Sequence, residues 1–200
     1  NPGESGTAQK RHWENTYSDN PSFFGEGSSA FSKVALDRFR NEGVRTVLEL
    51  GCGQGRDTLL FAREGFEVTA LDYSEEGLKC LAARAEEVGV SAHVATRSFD
   101  VRQMLPFPDG SFDACYSHML LCMELSSDEL KSLVGEIHRM LRPGGLALYS
   151  VRNTFDPHYR TGIRKSEAMY EIGGFVVHFF SEEKVRSLSD GYEILDIRYE

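Results

Sequence analysis

Val47-Leu48-Glu49-Leu50-Gly51-Cys52-Gly53-Gln54-Gly55-Arg56 is the stretch whose reading decides the fold of this 200-residue chain. The apolar run from Val44 to Leu50 reads as a buried strand. Glycines at 51, 53 and 55 make the turn that follows it, and a helix runs on through Glu64, closed by Gly65. Glycine lets a backbone adopt positive φ and approach a ligand closely. The first turn of the new helix points unpaired N–H groups at the same place, which favours an anionic group. In an open α/β sheet such a turn lies beside the point where strand order reverses and ligands bind.

Outward from that stretch, apolar runs alternate with segments of helical periodicity, which predicts an α/β domain with a mostly parallel sheet. Glu67 to Leu71 reads as the second strand, ending at Asp72. Ser74 caps a helix that carries Leu78, Leu81, Ala82 and Ala85 on one face and ends at Gly89. Ala92–Thr96 and Phe112–Ser117 are the third and fourth strands. Ser126 and Glu129 form a capping-box pattern ahead of Leu130, Leu133, Val134, Ile137, Met140 and Leu141 at helical spacing. Pro143-Gly144-Gly145 stops that helix, and Leu146–Val151 is the fifth strand. The polar stretch from Arg152 to Gly174 reads as a long binding loop. Phe175–Phe180 is a short apolar run, Ser181 caps a last helix through Leu188, and Tyr192–Tyr199 reads as a sixth strand. Ahead of the first strand, helices are expected over roughly 7–17 and 29–41, with an aromatic loop, Asn20 to Gly27, between them.

Composition narrows the function. A formal net charge of −9, with no clustered Lys/Arg run, makes a nucleic-acid partner a poor fit. No apolar run is long enough to cross a membrane, and Asn1–Gly6 has neither the basic start nor the apolar stretch of a signal peptide. Cys52, Cys80, Cys115 and Cys122 fit neither a redox CxxC nor a zinc spacing, so a cytoplasmic setting and no metal are expected. The dinucleotide fingerprint fails: counted from Gly51 its last glycine falls on Arg56, and counted from Gly53 it falls on Thr58. The Walker Gly-Lys-Ser/Thr is absent as well.

What remains is Glu49-x-Gly51-x-Gly53-x-Gly55, and here the chain resembles the class I S-adenosylmethionine (SAM)-dependent methyltransferases. The resemblance continues through Asp72 at the end of the second strand and Asp100 after the third. It then takes in Leu105-Pro106-Phe107-Pro108-Asp109-Gly110-Ser111-Phe112-Asp113 and Leu141-Arg142-Pro143-Gly144-Gly145, and so spans about Val44 to Val151. It implies a Rossmann-like, doubly wound sheet with helices on both faces under an N-terminal helical lid, SAM as cofactor and S-adenosylhomocysteine (SAH) as product. In three parts, residues 1–43 would be the lid, 44–151 the SAM-binding core, and 152–200 the substrate loop with a closing helix and strand. In that family a seventh strand returns beside the sixth; the sequence stops at Glu200, so that strand is expected to be missing or replaced. Gly55-Arg56-Asp57, Asn153-Thr154 and Val177-His178-Phe179-Phe180 are similar to the branch with tellurite-resistance-type methyltransferases.

The resemblance also assigns roles. Gly51, Cys52, Gly53, Gly55 and Arg56 belong to the turn under the methionine part of SAM, and Glu49 holds that turn. Asp72 accepts from the ribose hydroxyls, Tyr73 packs on the adenine, Asp100 and Val101 pair with the adenine edge, and Ser117 lies near the methionine end. Trp13, Tyr17, Phe23 and Phe24 are candidates for a lid, with Tyr17 counted among the cofactor contacts. His118, next to the expected methyl group, is the candidate catalytic base. His118, Cys122, Arg152, Tyr159 and His178 are the candidate contacts to a small-molecule acceptor, with a thiol, chalcogen or metalloid species among the possibilities. Two alternatives stand beside this: a SAM-binding sensor or partner subunit without methyl transfer, and an enzyme acting on protein or RNA. Ser117-His118-Met119-Leu120 replaces the Asn/Asp-Pro-Pro-aromatic motif seen in methyltransferases of DNA-base and glutamine nitrogens, which disfavours those substrates.

Overall fold

The computed structural model describes residues 2–199, with side chains from Thr7 onward. Its centre is a sheet of β1 (Thr46–Leu50), β2 (Glu67–Asp72), β3 (Val94–Ser98), β4 (Phe112–His118) and β5 (Leu141–Ser150), in the order β3-β2-β1-β4-β5. Every neighbouring pair is parallel. The chain steps from β1 outward to β3, then crosses back to lay β4 on the other side of β1. That reversal opens a crevice at the C-terminal ends of β1 and β4.

Side chains alternate along each strand, so the sheet feeds two cores. Val47, Val68, Ala70, Ala114 and Tyr116 join the core built with α2 (Ala30–Asn41), α3 (Arg56–Arg63) and α4 (Glu75–Glu87). Leu48, Leu50, Leu71 and Cys115 join the one built with α5 (Ser127–Met140) and α6 (Glu182–Leu188). Both faces are therefore covered, as a doubly wound sheet requires. Ser29, Ser74, Ser126 and Ser181 cap α2, α4, α5 and α6, each hydroxyl accepting a main-chain N–H three residues on. Each such cap contributes on the order of 1 kcal/mol. The Glu129 carboxylate accepts the Ser126 main-chain N–H in return, which completes the capping box.

Several boundaries differ from the sequence reading. One 3₁₀ turn, Ser91–His93, delays β3 to Val94. Ala82 is exposed, because the buried stripe of α4 is narrower than its apolar residues suggest. Leu141 to Gly145 is already strand, with a register shift against β4 between Phe112 and Ala114. The stretch 152–174 is not a loop throughout. It contains β6 (Ile163–Ser166) and β7 (Met169–Ile172), which with β8 (Phe175–His178) form a small antiparallel sheet. Gly173 and Gly174, both at positive φ, make the two-residue turn between β7 and β8. Tyr192–Tyr199 is not a strand: it lines a groove of about 1910 Å³ together with β5 but forms no strand ladder among the described residues. Alternating apolar residues show which way a strand would face, not that a sheet edge lies within hydrogen-bonding reach.

The N-terminal helix α1 (Pro2–Asp19) lies across the open end of the sheet, on α4 and β8. No helix among the described residues is long and apolar enough to cross a membrane.

Candidate functional site

At the C-terminal ends of the strands is a cavity of about 420 Å³, within the usual range for a small-molecule site. Gly51, Asp72, Tyr73, Asp100 and Val101 line one end, and His118, Met119, Arg152 and His158 line the other. Trp13, Tyr17, Phe23, Phe24 and Phe175 roof it, packed ring against ring at centroid separations of 4.7–6.5 Å.

The glycine turn is shaped by its neighbours. Gly53 and Gly55 have φ of 51° and 80°. A Cβ at Gly53 would stand 2.7 Å from the Tyr17 hydroxyl, and one at Gly55 would collide with the Leu81 side chain. The Gly53 N–H donates to Asp72 Oδ2 at 2.8 Å, and the Ser74 N–H donates to Oδ1 at 2.8 Å. Asp72 thus ties the turn after β1 to the start of α4 while lining the cavity. Burial pushes its pKa up to about 6, against the pull of the Ser74 and Gly53 N–H groups. At neutral pH it is chiefly a carboxylate, able only to accept.

Glu49 faces the other way. It alternates with Leu48 and Leu50, so its side chain points toward α3, where Thr58 Oγ1 donates to it at 2.6 Å. Burial, then the Asp57 carboxylate, raises its pKa to about 8. An acid whose pKa is higher in the fold than in the unfolded chain favours the fold below its unfolded pKa. It loses that contribution as pH climbs to the folded value. Glu49→Gln, which mimics the protonated acid, is therefore expected to match the wild type in thermal midpoint at pH 5. At pH 8.5 it should exceed it by a few degrees, on the order of 1 kcal/mol. A variant less stable than wild type at pH 8.5 would show that the ionised form is the one the fold needs.

The remaining candidates divide by location. Asp100 reaches the cavity, but both its oxygens are held by the fork of Arg102, Nε to Oδ1 at 2.9 Å and Nη2 to Oδ2 at 2.8 Å. A carboxylate has further lone pairs, so this orients Asp100 without exhausting it. His118 ends β4, stacks on Phe31 at 5.8 Å, and shares a 2.6 Å hydrogen bond with Ser150 Oγ through Nδ1. Cys52 is buried beside Gly53, and the Ser117 hydroxyl turns back to the Leu50 carbonyl. Arg56 leaves the cavity altogether, donating to the Phe24 carbonyl at 3.0 Å with its guanidinium over that ring. Three acceptor-side candidates point away from the cavity. Cys122 is fully buried, its thiol raised to about 11 by burial. The buried His178 ring bonds to the Leu125 carbonyl, and burial lowers its pKa. Tyr159 packs on Tyr170 and Phe179.

The fastenings of α1 had no signal in the sequence. Glu14 accepts from the Ser74 hydroxyl and from the Glu75 and Glu76 N–H groups, at 2.8–3.0 Å, and so closes the start of α4. Gln54 donates to the Asn20 carbonyl and accepts from the Phe23 N–H. Gln9 donates to the Gly174 carbonyl and accepts from the Val176 N–H on the β7–β8 hairpin.

Comparison with known proteins bears on this geometry. The family described as Methyltransferase domain matches residues 47–145, from β1 to the start of β5. Over those residues the chain is similar to methyltransferases. An uncharacterized methyltransferase of Synechocystis is 31% identical to the chain over 120 residues, covering 60% of this chain and 53% of that protein. The ubiquinone biosynthesis O-methyltransferase of Caulobacter vibrioides is 34% identical over 130 residues, covering 60% and 48%. The chain thus spans about half the length of these curated relatives. Among solved structures, the Burkholderia thailandensis 1,6-didemethyltoxoflavin-N1-methyltransferase, with that compound and SAH bound, superposes with a TM-score of 0.73 at 24% identity. The match covers 96% of this chain and 78% of that one. A SAM-dependent methyltransferase from Methanosarcina mazei gives a TM-score of 0.69 at 22% identity, over 78% and 82%. At these identities the superpositions speak for the fold.

SAM is the cofactor that the likeness to SAM-dependent methyltransferases implies, and the residues present suit it. The cavity offers an acceptor-only carboxylate at Asp72, flat and apolar walls at Tyr73 and Phe99, and a turn at Gly51 with no side chain in the way. No group of three or more metal-ligating side chains occurs among the described residues.

Proposed function

We propose that this chain transfers the methyl group of SAM to a small organic molecule held between β4, β5 and the β7–β8 hairpin. The observation that carries this reading is the continuity of one cavity, from Asp72 and Asp100 past Gly51 to His118 and Arg152, beneath α1. Within residues 1–43, α1 and the loop after it act as its roof; 44–151 act as the cofactor floor, and the segment after β5 supplies the wall on the acceptor side. Trp13, Phe23 and Phe175 stand over the cavity and narrow its mouth, which favours a small acceptor over a macromolecular one.

Bound SAM supplies a methyl group already activated by the sulfonium. The protein aligns the acceptor atom with it and keeps water out. Asp72 holds the ribose, Gly51 and Gly53 let the main chain approach, and Tyr17 closes over the turn. His118 takes the proton of an acceptor hydroxyl or amine. A soft acceptor, a thiolate or metalloid species as in the tellurite-resistance branch, draws support from the Met119 and Met123 thioethers in the same wall. It needs no base.

Tritium-labelled SAM offered with a panel of phenols, hydroxy acids, amines, thiols and metalloid oxyanions tests the proposal. Label is expected in a small product, with His118→Ala slowing an oxygen or nitrogen acceptor by about a hundredfold. An unslowed variant would assign the soft acceptor. Label only in added protein or RNA, or SAM bound without turnover, would overturn the proposal in favour of a macromolecular substrate or a sensor.

A further inference from the structure

We infer that the acceptor carries a carboxylate, and that Arg152 and His158 grip it at the end of the cavity far from Asp72. This rests on reading the cavity as a methyl-transfer site. Arg152 lies two residues beyond the end of β5, three strand spacings from β2, or about 14 Å. His158 lies on the following turn, and both side chains line the cavity.

Asp156 brings the two together. Its Oδ2 accepts from Arg152 Nη1 at 3.0 Å, while its Oδ1 sits 3.0 Å from His158 Nδ1 and accepts the His158 main-chain N–H at 2.8 Å. Asp156 does not itself line the cavity; it stands behind the pair and fixes it. Among the described residues, the Nε–H and Nη2–H groups of Arg152 hold no hydrogen bond. That edge of the guanidinium has the spacing of a carboxylate's two oxygens.

Charge selects among anions and against cations. Arg152 is the fixed cation at this end and Asp156 already offsets part of its charge, so it has too little left for a dianionic phosphate, and an ammonium group would face Arg152. A single carboxylate suits the pair. The remaining wall, with Ile172, Phe175 and Val177, takes an apolar body. From His118 on β4 to Arg152 beyond β5 is one to two strand spacings, roughly 5–10 Å, the length of a single ring between acceptor atom and carboxylate.

Trp13, the only tryptophan, lines the same cavity and reports on its contents by fluorescence. With the protein saturated in SAH at fixed ionic strength, benzoate is expected to bind at least about tenfold more tightly than benzamide. Arg152→Gln should erase that preference and Arg152→Lys should keep part of it. His158→Gln should weaken benzoate several-fold and leave benzamide unchanged. Equal affinities, no binding of either compound up to its solubility, or a preference that survives Arg152→Gln would overturn the inference. Calorimetric titration with SAH on the same samples separates the two readings. Loss of SAH binding by folded wild type strikes the methyltransferase reading, whereas intact SAH binding without a carboxylate preference strikes this inference alone. If Arg152→Gln itself fails to fold, the wild-type comparison and His158→Gln decide.

Discussion

Asp72→Ala is expected to weaken SAM binding by about a hundredfold or more in calorimetric titration. Hydrogen bonds to a charged acceptor contribute about 1.5–3 kcal/mol each, and in the proposed binding mode Asp72 accepts one from each ribose hydroxyl. The alanine also leaves the Gly53 and Ser74 N–H groups without their acceptor, so the turn and the start of α4 lose the tie that fixes their separation. Asp72→Asn keeps the size of the side chain but turns an N–H₂ toward one of those donors, and is expected to lie between alanine and wild type. The same carboxylate sets a pH dependence. Because burial raises Asp72 to about 6, SAM affinity should hold above that value and decline as pH falls through it, when the protonated acid ceases to be acceptor-only. Asp72→Ala with wild-type affinity would remove the cofactor assignment at its root.

Gly55→Ala is expected to cost about 2–5 kcal/mol of stability and to lower the melting temperature by on the order of 10 °C. One part is conformational: at φ 80° a Cβ meets the following carbonyl, for about 1–2 kcal/mol. The other is steric. The new methyl runs into Leu81, a fully buried side chain of α4 with no room to retreat, and overpacking of this kind costs about 1–3 kcal/mol. Gly53→Ala makes a useful contrast. Its methyl meets Tyr17, which belongs to the roof, so the strain can be relieved by displacing α1. Gly53→Ala should therefore melt nearer to wild type yet bind SAM poorly. Equal melting temperatures for Gly55→Ala and wild type would mean that α4 repacks around the turn.

The sheet was legible in the sequence because its three central strands, β1, β2 and β4, are largely buried and end in residues with a conformational or chemical duty: Gly51 after β1, Asp72 at the end of β2, His118 at the end of β4. The caps at Ser74, Ser126 and Ser181 were legible for the same reason, since a hydroxyl before an amphipathic run has one local use. The β6–β8 sheet was not. The four residues of β6 are all exposed, so no alternation marks them, and Gly173-Gly174 was the sole local sign of a hairpin. Tyr192–Tyr199 misled in the opposite sense, carrying apolar residues without a partner edge. On the acceptor side, Cys122 and His178 have the chemistry of a site, but their polar atoms are taken up by the Met119 and Leu125 carbonyls. The roles of Gln9, Glu14 and Gln54 were out of reach, because a single polar contact across the chain leaves no periodic trace.

The tie between Gln9 and the β7–β8 hairpin also has a bearing on how the molecule is made. Gln9 leaves the ribosome 165 residues ahead of Gly174 and 167 ahead of Val176. By the time those partners emerge, β1 to β5 and their helices have been synthesised and can form from contacts between near neighbours in the chain. Contacts of such long sequence separation are the last to be rewarded during folding and are drawn from the least stable part of the structure. Docking of α1 is thus expected to be both the final event of assembly and the first to reverse in the finished protein. Amide protons along Gln9–Tyr17 should exchange well before those of β1 and β4, on the timescale at which the cavity admits and releases its ligands.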